Sequence, residues 1–379
     1  MIDKDADDLT DADIKAYRNI DNLTNESPWD LDKLNAELAE MDLTGFDFDI
    51  DIPDSEPESA DVTEDYFDAV LPKEPDTRRG DLYIIGTHRL LCGDSTDPDD
   101  LARLMDGATA DLLLTDPPYG VNYEDKIDFI NRFHDKANIN RRKDMQHIES
   151  DGNKMEAGEL INRAFMAADV YMQPGTPFYI WYAGINQDVF MQAIQAAGWT
   201  PKQILIWVKN QFALGLSDYQ WKHEPCIYGW KPGKKRYFTD SRAESTVIDD
   251  KIDVKKLKKD EAISLLQQLL ADKRETTVIY EDKPTSSNYH PTSKPLRLMA
   301  RLIRNSSRRG AVILDIFAGS GSTMLAAEQL GRRSYNMELD PKYCDAILQR
   351  YAEFTGRDDI IRIRDGQREP YTPPDPVTP

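Results

Sequence analysis

The sequence predicts an α/β protein, with helices on both faces of a sheet. Three observations carry that prediction. Short apolar runs alternate with segments of helical period through the second half of the chain. A strand, a glycine turn and a helix start follow one another at Asp315-Ile316-Phe317-Ala318-Gly319-Ser320-Gly321-Ser322-Thr323. A third run, Leu112-Leu113-Leu114, stops at Thr115-Asp116-Pro117-Pro118-Tyr119-Gly120. Two prolines there remove backbone donors and fix φ, so the chain leaves the sheet as a rigid elbow.

Taken in order, residues 1–76 form an acidic extension. Two short amphipathic patterns, around Ile14–Ile20 and Leu31–Met41, precede an Asp/Glu/Pro/Ser-rich stretch over 45–76 that reads as a disordered linker. The first half of an ordered domain spans 77–230. It opens on a hairpin, Leu82–Gly86 with His88–Cys92, followed by a helix from Asp97 to Met105 that carries acidic residues near its start. The 111–114 strand and the elbow come next. Residues 121–150 are polar, rich in charge and without periodicity, which marks a functional loop. Helix 159–172, strand 177–181, helix 187–197 and strands 204–208 and 224–230 follow. Residues 231–289 interrupt the alternation with a lysine-rich insertion. It resumes over 290–360 with a helix from about Pro295, strand 312–317, helix 322–330, strand 333–338 and helix 342–354. Residues 361–379 read as a disordered tail.

Composition narrows the function classes. With 379 residues and 40% of them apolar, the chain can bury a sizeable core, and no apolar run approaches the ~18 residues of a membrane span. The acidic N-terminus is unlike a signal peptide. Three scattered cysteines, Cys92, Cys226 and Cys344, imply a reducing, cytoplasmic setting without a disulfide framework, and no CxxC or HxxxH spacing suggests a metal. The net charge of −21 is unevenly spread. Residues 1–76 hold 25 acidic and 5 basic side chains, whereas residues 200–310 hold 22 basic and 13 acidic. A local positive field of that kind can bind a polyanion.

The elbow gathers a carboxylate (Asp116), a carbonyl without a competing N–H (Pro117) and an aromatic face (Tyr119). Such a set can hold an amino group on a heteroaromatic base. The glycine turn lets a ligand approach the backbone, and the helix N-terminus behind it favours an anionic group. Glu338 ends the next strand, where a carboxylate can hold ribose hydroxyls. Met324 stands at the third glycine position of a dinucleotide fingerprint, and no lysine follows Gly321 as a P-loop requires. A nucleoside with a small anionic tail remains, and S-adenosylmethionine fits that description.

Together, Asp116-Pro117-Pro118-Tyr119, His290-Pro291-Thr292-Ser293-Lys294-Pro295 and the 315–323 turn resemble the DNA amino-methyltransferases, and their order is that of the β group. The resemblance covers about residues 80–355. It implies a Rossmann-like, seven-stranded, mostly parallel methyltransferase sheet with one antiparallel strand and an inserted target-recognition region. It also implies S-adenosylmethionine as cofactor, double-stranded DNA as partner and a possible homodimer. Phe317, Gly319, Gly321 and Thr323 would line the methionine end, with Thr292 and Lys294 near its carboxylate and Asp315 near its ammonium. Glu338 would hold the ribose, and Asp94 and Ser95 would meet the adenine. Asp116, Pro117, Pro118 and Tyr119 would be catalytic, Tyr119 stacking on a flipped-out base. Ala12 to Leu38 also resembles the helical tail after a ParB-like domain in ParB–methyltransferase fusions.

Basic residues expected to face DNA are Lys209, Lys231, Lys234, Lys235 and Arg236 near the interleaved aromatics, with Arg141 and Arg142 in the polar loop. Pro225-Cys226 reads as a buried structural pair, because it lies in the wrong order for a cysteine nucleophile. Adenine N6 is the expected target, since the cytosine-N4 members more often carry Ser where Asp116 stands. Cytosine N4, or an inactive DNA-binding relic of the fold, are the alternatives.

Overall fold

The structure is a computed structural model that describes residues 62–65, 67, 71–72, 74–120, 154–213, 221–239, 278–280, 294–357 and 359–373. The amphipathic patterns of the extension, the ParB-like segment, Arg141, Arg142, Thr292 and most of the 231–289 insertion lie outside the described residues.

Strand β1 (Leu82–Ile85) turns at Gly86-Thr87 into β2 (His88–Cys92). Helix α1 (Pro98–Met105) follows, and its start is dictated locally: the Asp97 side chain accepts the Asp99 N–H and Pro98 occupies the first turn. Next come β3 (Leu112–Thr115), α2 (Lys154–Asp169), β4 (Pro177–Trp181), α3 (Gln187–Ala196), β5 (Thr200–Ala213), β6 (Trp221–Trp230) and β7 (Val278–Tyr280). The chain continues through α4 (Leu296–Ser306), β8 (Val312–Asp315), α5 (Ser322–Gln329), β9 (Arg333–Glu338) and α6 (Pro341–Thr355), then β10 (Ile360–Arg364) and β11 (Gln367–Tyr371).

The eleven strands among the described residues join one sheet in the order β11-β10-β1-β2-β9-β8-β3-β4-β6-β5-β7. Its centre is the expected seven-stranded pattern. Strands β2, β9, β8, β3 and β4 are parallel, while β6 is antiparallel to both β4 and β5. Every residue of β3, β4 and β8 is buried, as strands covered on both faces require. Alternation splits the core: Leu112 and Leu114 face α4, α5 and α6, whereas Leu113 faces α1, α2 and α3. No helix among the described residues is long and apolar enough to cross a membrane.

Two expectations about the chain ends are corrected. The tail forms a β10–β11 hairpin rather than remaining disordered beyond 361, turning at Asp365-Gly366, both in the left-handed region. Buried Tyr371 meets Tyr83 edge-on at 5.0 Å, and Pro370, which lacks a donor, sits on the outermost strand, where none is needed. Within the expected linker, Val62 enters the main core. Glu64 accepts the first free N–H groups of α4, from Leu296 (2.9 Å) and Arg297 (2.7 Å), and Asp65 grips Arg350 through two bonds of 2.6 and 2.7 Å. An acidic stretch that looks merely solvated in sequence is thus anchored by helix-terminal and guanidinium donors.

Candidate active site

The carboxyl ends of β2, β3, β8 and β9 frame a cavity of about 370 Å3, a size suited to a small-molecule ligand. Its walls carry Asp94, Ser95, Asp116, Pro117, Pro118, Tyr119, Lys294, Asp315, Phe317, Gly319, Thr323 and Glu338. Elbow and glycine turn, two hundred residues apart, meet because β3 pairs with β8.

Asp315 ties the two together. Its carboxylate accepts the Thr115 hydroxyl (2.9 Å) from the end of β3, the Thr323 hydroxyl (2.6 Å) from α5 and the Phe317 N–H (3.2 Å). Burial raises its pKa to about 6, against the pull of the Thr323 and Thr115 hydroxyls. Gly319 donates its N–H to Glu338 (2.8 Å), whose other oxygen accepts the Asp340 N–H (3.0 Å). Burial pushes the Glu338 carboxyl up to about 7 despite those two donors. Gly321 does not line the cavity. It caps α5 in a left-handed conformation, and a Cβ there would meet Ile347 at 3.0 Å, so this glycine serves the turn and its packing against α6.

At the elbow, both oxygens of Asp116 are engaged by this chain. The Tyr119 hydroxyl donates at 2.6 Å and the Lys294 ammonium at 2.5 Å. Lys294 lines the cavity, but its ammonium points to Asp116 rather than standing apart for a cofactor carboxylate. Burial raises the Asp116 carboxyl above the usual carboxylate range, and Lys294 opposes the rise. Lys294 also stands 3.1 Å from Glu224, at an angle poor for a hydrogen bond, and Glu224 is paired in turn with Lys209. Burial alone would raise the Glu224 carboxyl, yet Lys294 and Lys209 bring it down to about 2. Cys226, on the same strand, is fully buried, and burial drives its thiol upward, the setting of a structural cysteine.

Among the described residues, the basic side chains expected to face DNA are not gathered at the cavity. Lys209 is turned inward onto Glu224, with 11% of its side chain exposed. Lys231 pairs with Asp169 at 2.7 Å, and Arg236 stacks on Trp230 at 4.1 Å while donating to the Tyr228 hydroxyl. Lys234 and Lys235 pack beside Gly175, ahead of β4. The cause is strand direction. Because β6 runs antiparallel, Glu224 reaches the elbow, while Lys231 lies about 20 Å down the sheet, at the opposite edge. The end of β6 nearest the elbow instead exposes Trp221 and Lys222.

Sequence reasoning missed several neighbours of the site. Glu156, Glu159, Leu160 and Arg163 of α2 line the cavity, and the helix begins five residues earlier than its apolar period suggests. Asn186 donates to the Tyr119 carbonyl at 2.6 Å and holds the elbow from below. Its sequence carried no signal for that role. Glu224 did carry one, a carboxylate at the head of the apolar run Pro225-Cys226-Ile227-Tyr228, which demands a buried partner.

The donor set fits S-adenosylmethionine. The N-terminus of α5, at the cavity wall, has no side-chain cap and favours an anionic group such as a carboxylate, Glu338 offers remaining lone pairs to hydroxyls, and Asp94 and Ser95 line the same cavity.

Residues 110–349 match the model of a family described as DNA methylase. The chain is 28% identical over 256 residues to YubD of Escherichia coli (strain K12), covering 67% of this chain and 88% of that protein. It is 26% identical over 256 residues to the type II methyltransferase M2.MboI of Moraxella bovis, covering 65% and 81%. Among solved structures, the M1.HpyAVI–SAM complex aligns with a TM-score of 0.45 at 18% identity, over 69% of this chain and 98% of that one. The cytosine-N4-specific PvuII DNA methyltransferase aligns at 0.46 and 14%, over 69% and 85%. The family match spans more than half of the chain, which therefore belongs to the N6/N4 DNA methyltransferases, enzymes that take their methyl group from S-adenosylmethionine.

Proposed function

We propose that this chain methylates the N6 amino group of adenine in double-stranded DNA. The observation that carries the proposal is a carboxylate, Asp116, rather than a hydroxyl at the elbow, sharing one cavity with Gly319 and Glu338. S-adenosylmethionine supplies an activated sulfonium methyl when bound. The protein's task is then to hold the amine in line, which supplies much of the rate.

The lone pair of an adenine amino group is delocalised into its ring. An acceptor at each of its two protons, the Asp116 carboxylate and the Pro117 carbonyl, draws the nitrogen toward a pyramidal, nucleophilic form. Asp116 is enclosed by protein with 22% of its side chain accessible, which strengthens that interaction over its value in water. Tyr119, packed edge-on against Phe190 at 6.4 Å, gives the base a fixed aromatic neighbour once it is flipped from the duplex. Phe317, Gly319, Thr323, Asp315, Asp94, Ser95 and Glu338 hold the cofactor, while the Lys294 ammonium stays with Asp116. Trp221 and Lys222 face the DNA.

The test is transfer from labelled S-adenosylmethionine to mixed-sequence duplex DNA, followed by nucleoside analysis. The label should appear in N6-methyladenine, and label confined to N4-methylcytosine would overturn the base assignment. Asp116→Ala should lower transfer at least ~10²–10³-fold while cofactor affinity stays within a few-fold.

A further inference from the structure

We propose that Glu224 is a positioning residue: it provides a second seat for the Lys294 ammonium and so frees Asp116 to receive the amino group of the target base. The inference rests on the reading that Asp116 accepts that amine.

The structure poses a definite obstacle to that reading. Asp116 spends one oxygen on the Tyr119 hydroxyl and the other on Lys294. A base that needs a carboxylate oxygen must displace one of them. The Tyr119 hydroxyl is a neutral donor, whereas Lys294 carries a charge and cannot simply leave, because only 3% of its side chain is exposed. An ammonium pulled from its counter-charge in such a place is strongly destabilised.

Glu224 removes the obstacle. Its Oε2 stands 3.1 Å from the same ammonium, close enough that a small rotation of the lysine converts a loose ion pair into a full hydrogen bond. The partner oxygen is held by Lys209, so the carboxylate is a fixed target. The rings of Trp181 and Tyr119 stand 5.1 and 5.8 Å from the ammonium and favour a cation at either seat. Asp116, Lys294, Glu224 and Lys209 form an alternating row of charges. Sliding Lys294 along it changes no net charge and exposes nothing to water. Topology explains how the row arises: β6, the one antiparallel strand of the seven, brings its N-terminal end, with Glu224, back to the carboxyl edge where the elbow lies.

Two measurements test the proposal. The first needs no activity: a crystal structure of Asp116→Asn. With the charge at 116 removed, Lys294 should move onto Glu224, its Nζ within ~2.9 Å of Oε2. An ammonium that stays on the amide at 116 and apart from Glu224 would overturn the second seat. The second is a double-mutant cycle at saturating cofactor. Glu224→Gln should slow methyl transfer tenfold or more with unchanged affinity for a cofactor analogue, because Lys294 then stays on Asp116. Adding Lys294→Met should restore part of that loss, so that the double variant outruns Glu224→Gln alone. A double variant as slow as Glu224→Gln, or slower, would show that Glu224 is merely structural. If the unmodified protein methylates no DNA, the proposed function fails, while the Asp116→Asn structure still decides where Lys294 goes.

Discussion

Glu338 offers a quantitative test of the cofactor side. Its carboxylate accepts the Gly319 and Asp340 N–H groups, yet burial carries its pKa from the ordinary 4.5 to about 7. Between those values the folded protein binds more protons at this position than the unfolded chain does. Stability attributable to Glu338 is therefore full below pH 4.5 and is lost as pH rises through 7. At ~1.36 kcal/mol per pH unit the displacement amounts to about 3 kcal/mol. Glu338→Gln keeps the shape of the protonated acid and removes the titration. Urea unfolding of the cofactor-free protein at several pH values from 5 to 8.5 gives the assay. The unmodified protein should lose about 2.5 kcal/mol more than the variant across that range, the part of the total that falls above pH 5. Asp315, raised to about 6, contributes in the same direction in both proteins and cancels in the difference. Parallel curves would refute the argument that a desolvated carboxylate waits at the ribose position.

Thr323→Val deletes a 2.6 Å hydrogen bond to the buried Asp315 carboxylate without changing side-chain shape. It should cost about 1.5–3 kcal/mol in thermal or urea unfolding and move the Asp315 pKa higher still. Asp65→Ala strands the guanidinium of Arg350, whose side chain is 5% exposed, and should cost about 3–5 kcal/mol. Because Arg350 also donates to the Ser320 carbonyl in the glycine turn, that variant should weaken cofactor binding in calorimetry as well. Lys222→Ala should lower the salt dependence of DNA binding by about one counterion, whereas Lys231→Ala, at the far edge of the sheet, should leave it unchanged.

The α/β alternation was legible because its strands are continuous apolar runs and its helices carry their own start signals, such as Asp97-Pro98 and Asp340-Pro341. The elbow and the glycine turn were legible because both depend on backbone chemistry that only proline and glycine supply. Long-range electrostatics were not. Lys209 looked like a DNA contact because it is a lysine among aromatics, and only the register of Trp207 against Glu224 turns it inward. Lys231, Lys234, Lys235 and Arg236 lie close to Glu224 in sequence, yet β6 carries them to the opposite edge of the sheet from the elbow. Docking of Glu64 and Asp65 could not be foreseen either, since their partners, the start of α4 and Arg350, lie more than 230 residues away.

The central claim is that the elbow and the glycine turn serve a single transfer. A crystal structure with a non-reactive S-adenosylmethionine analogue measures this most directly. The analogue's ribose should meet Glu338 and its carboxylate the N-terminus of α5. The atom replacing the sulfonium should face Asp116 across a gap that admits one amino nitrogen ~3–3.5 Å from the methyl position. An analogue bound away from Glu338, or one whose sulfonium position faces away from Asp116, would contradict the account.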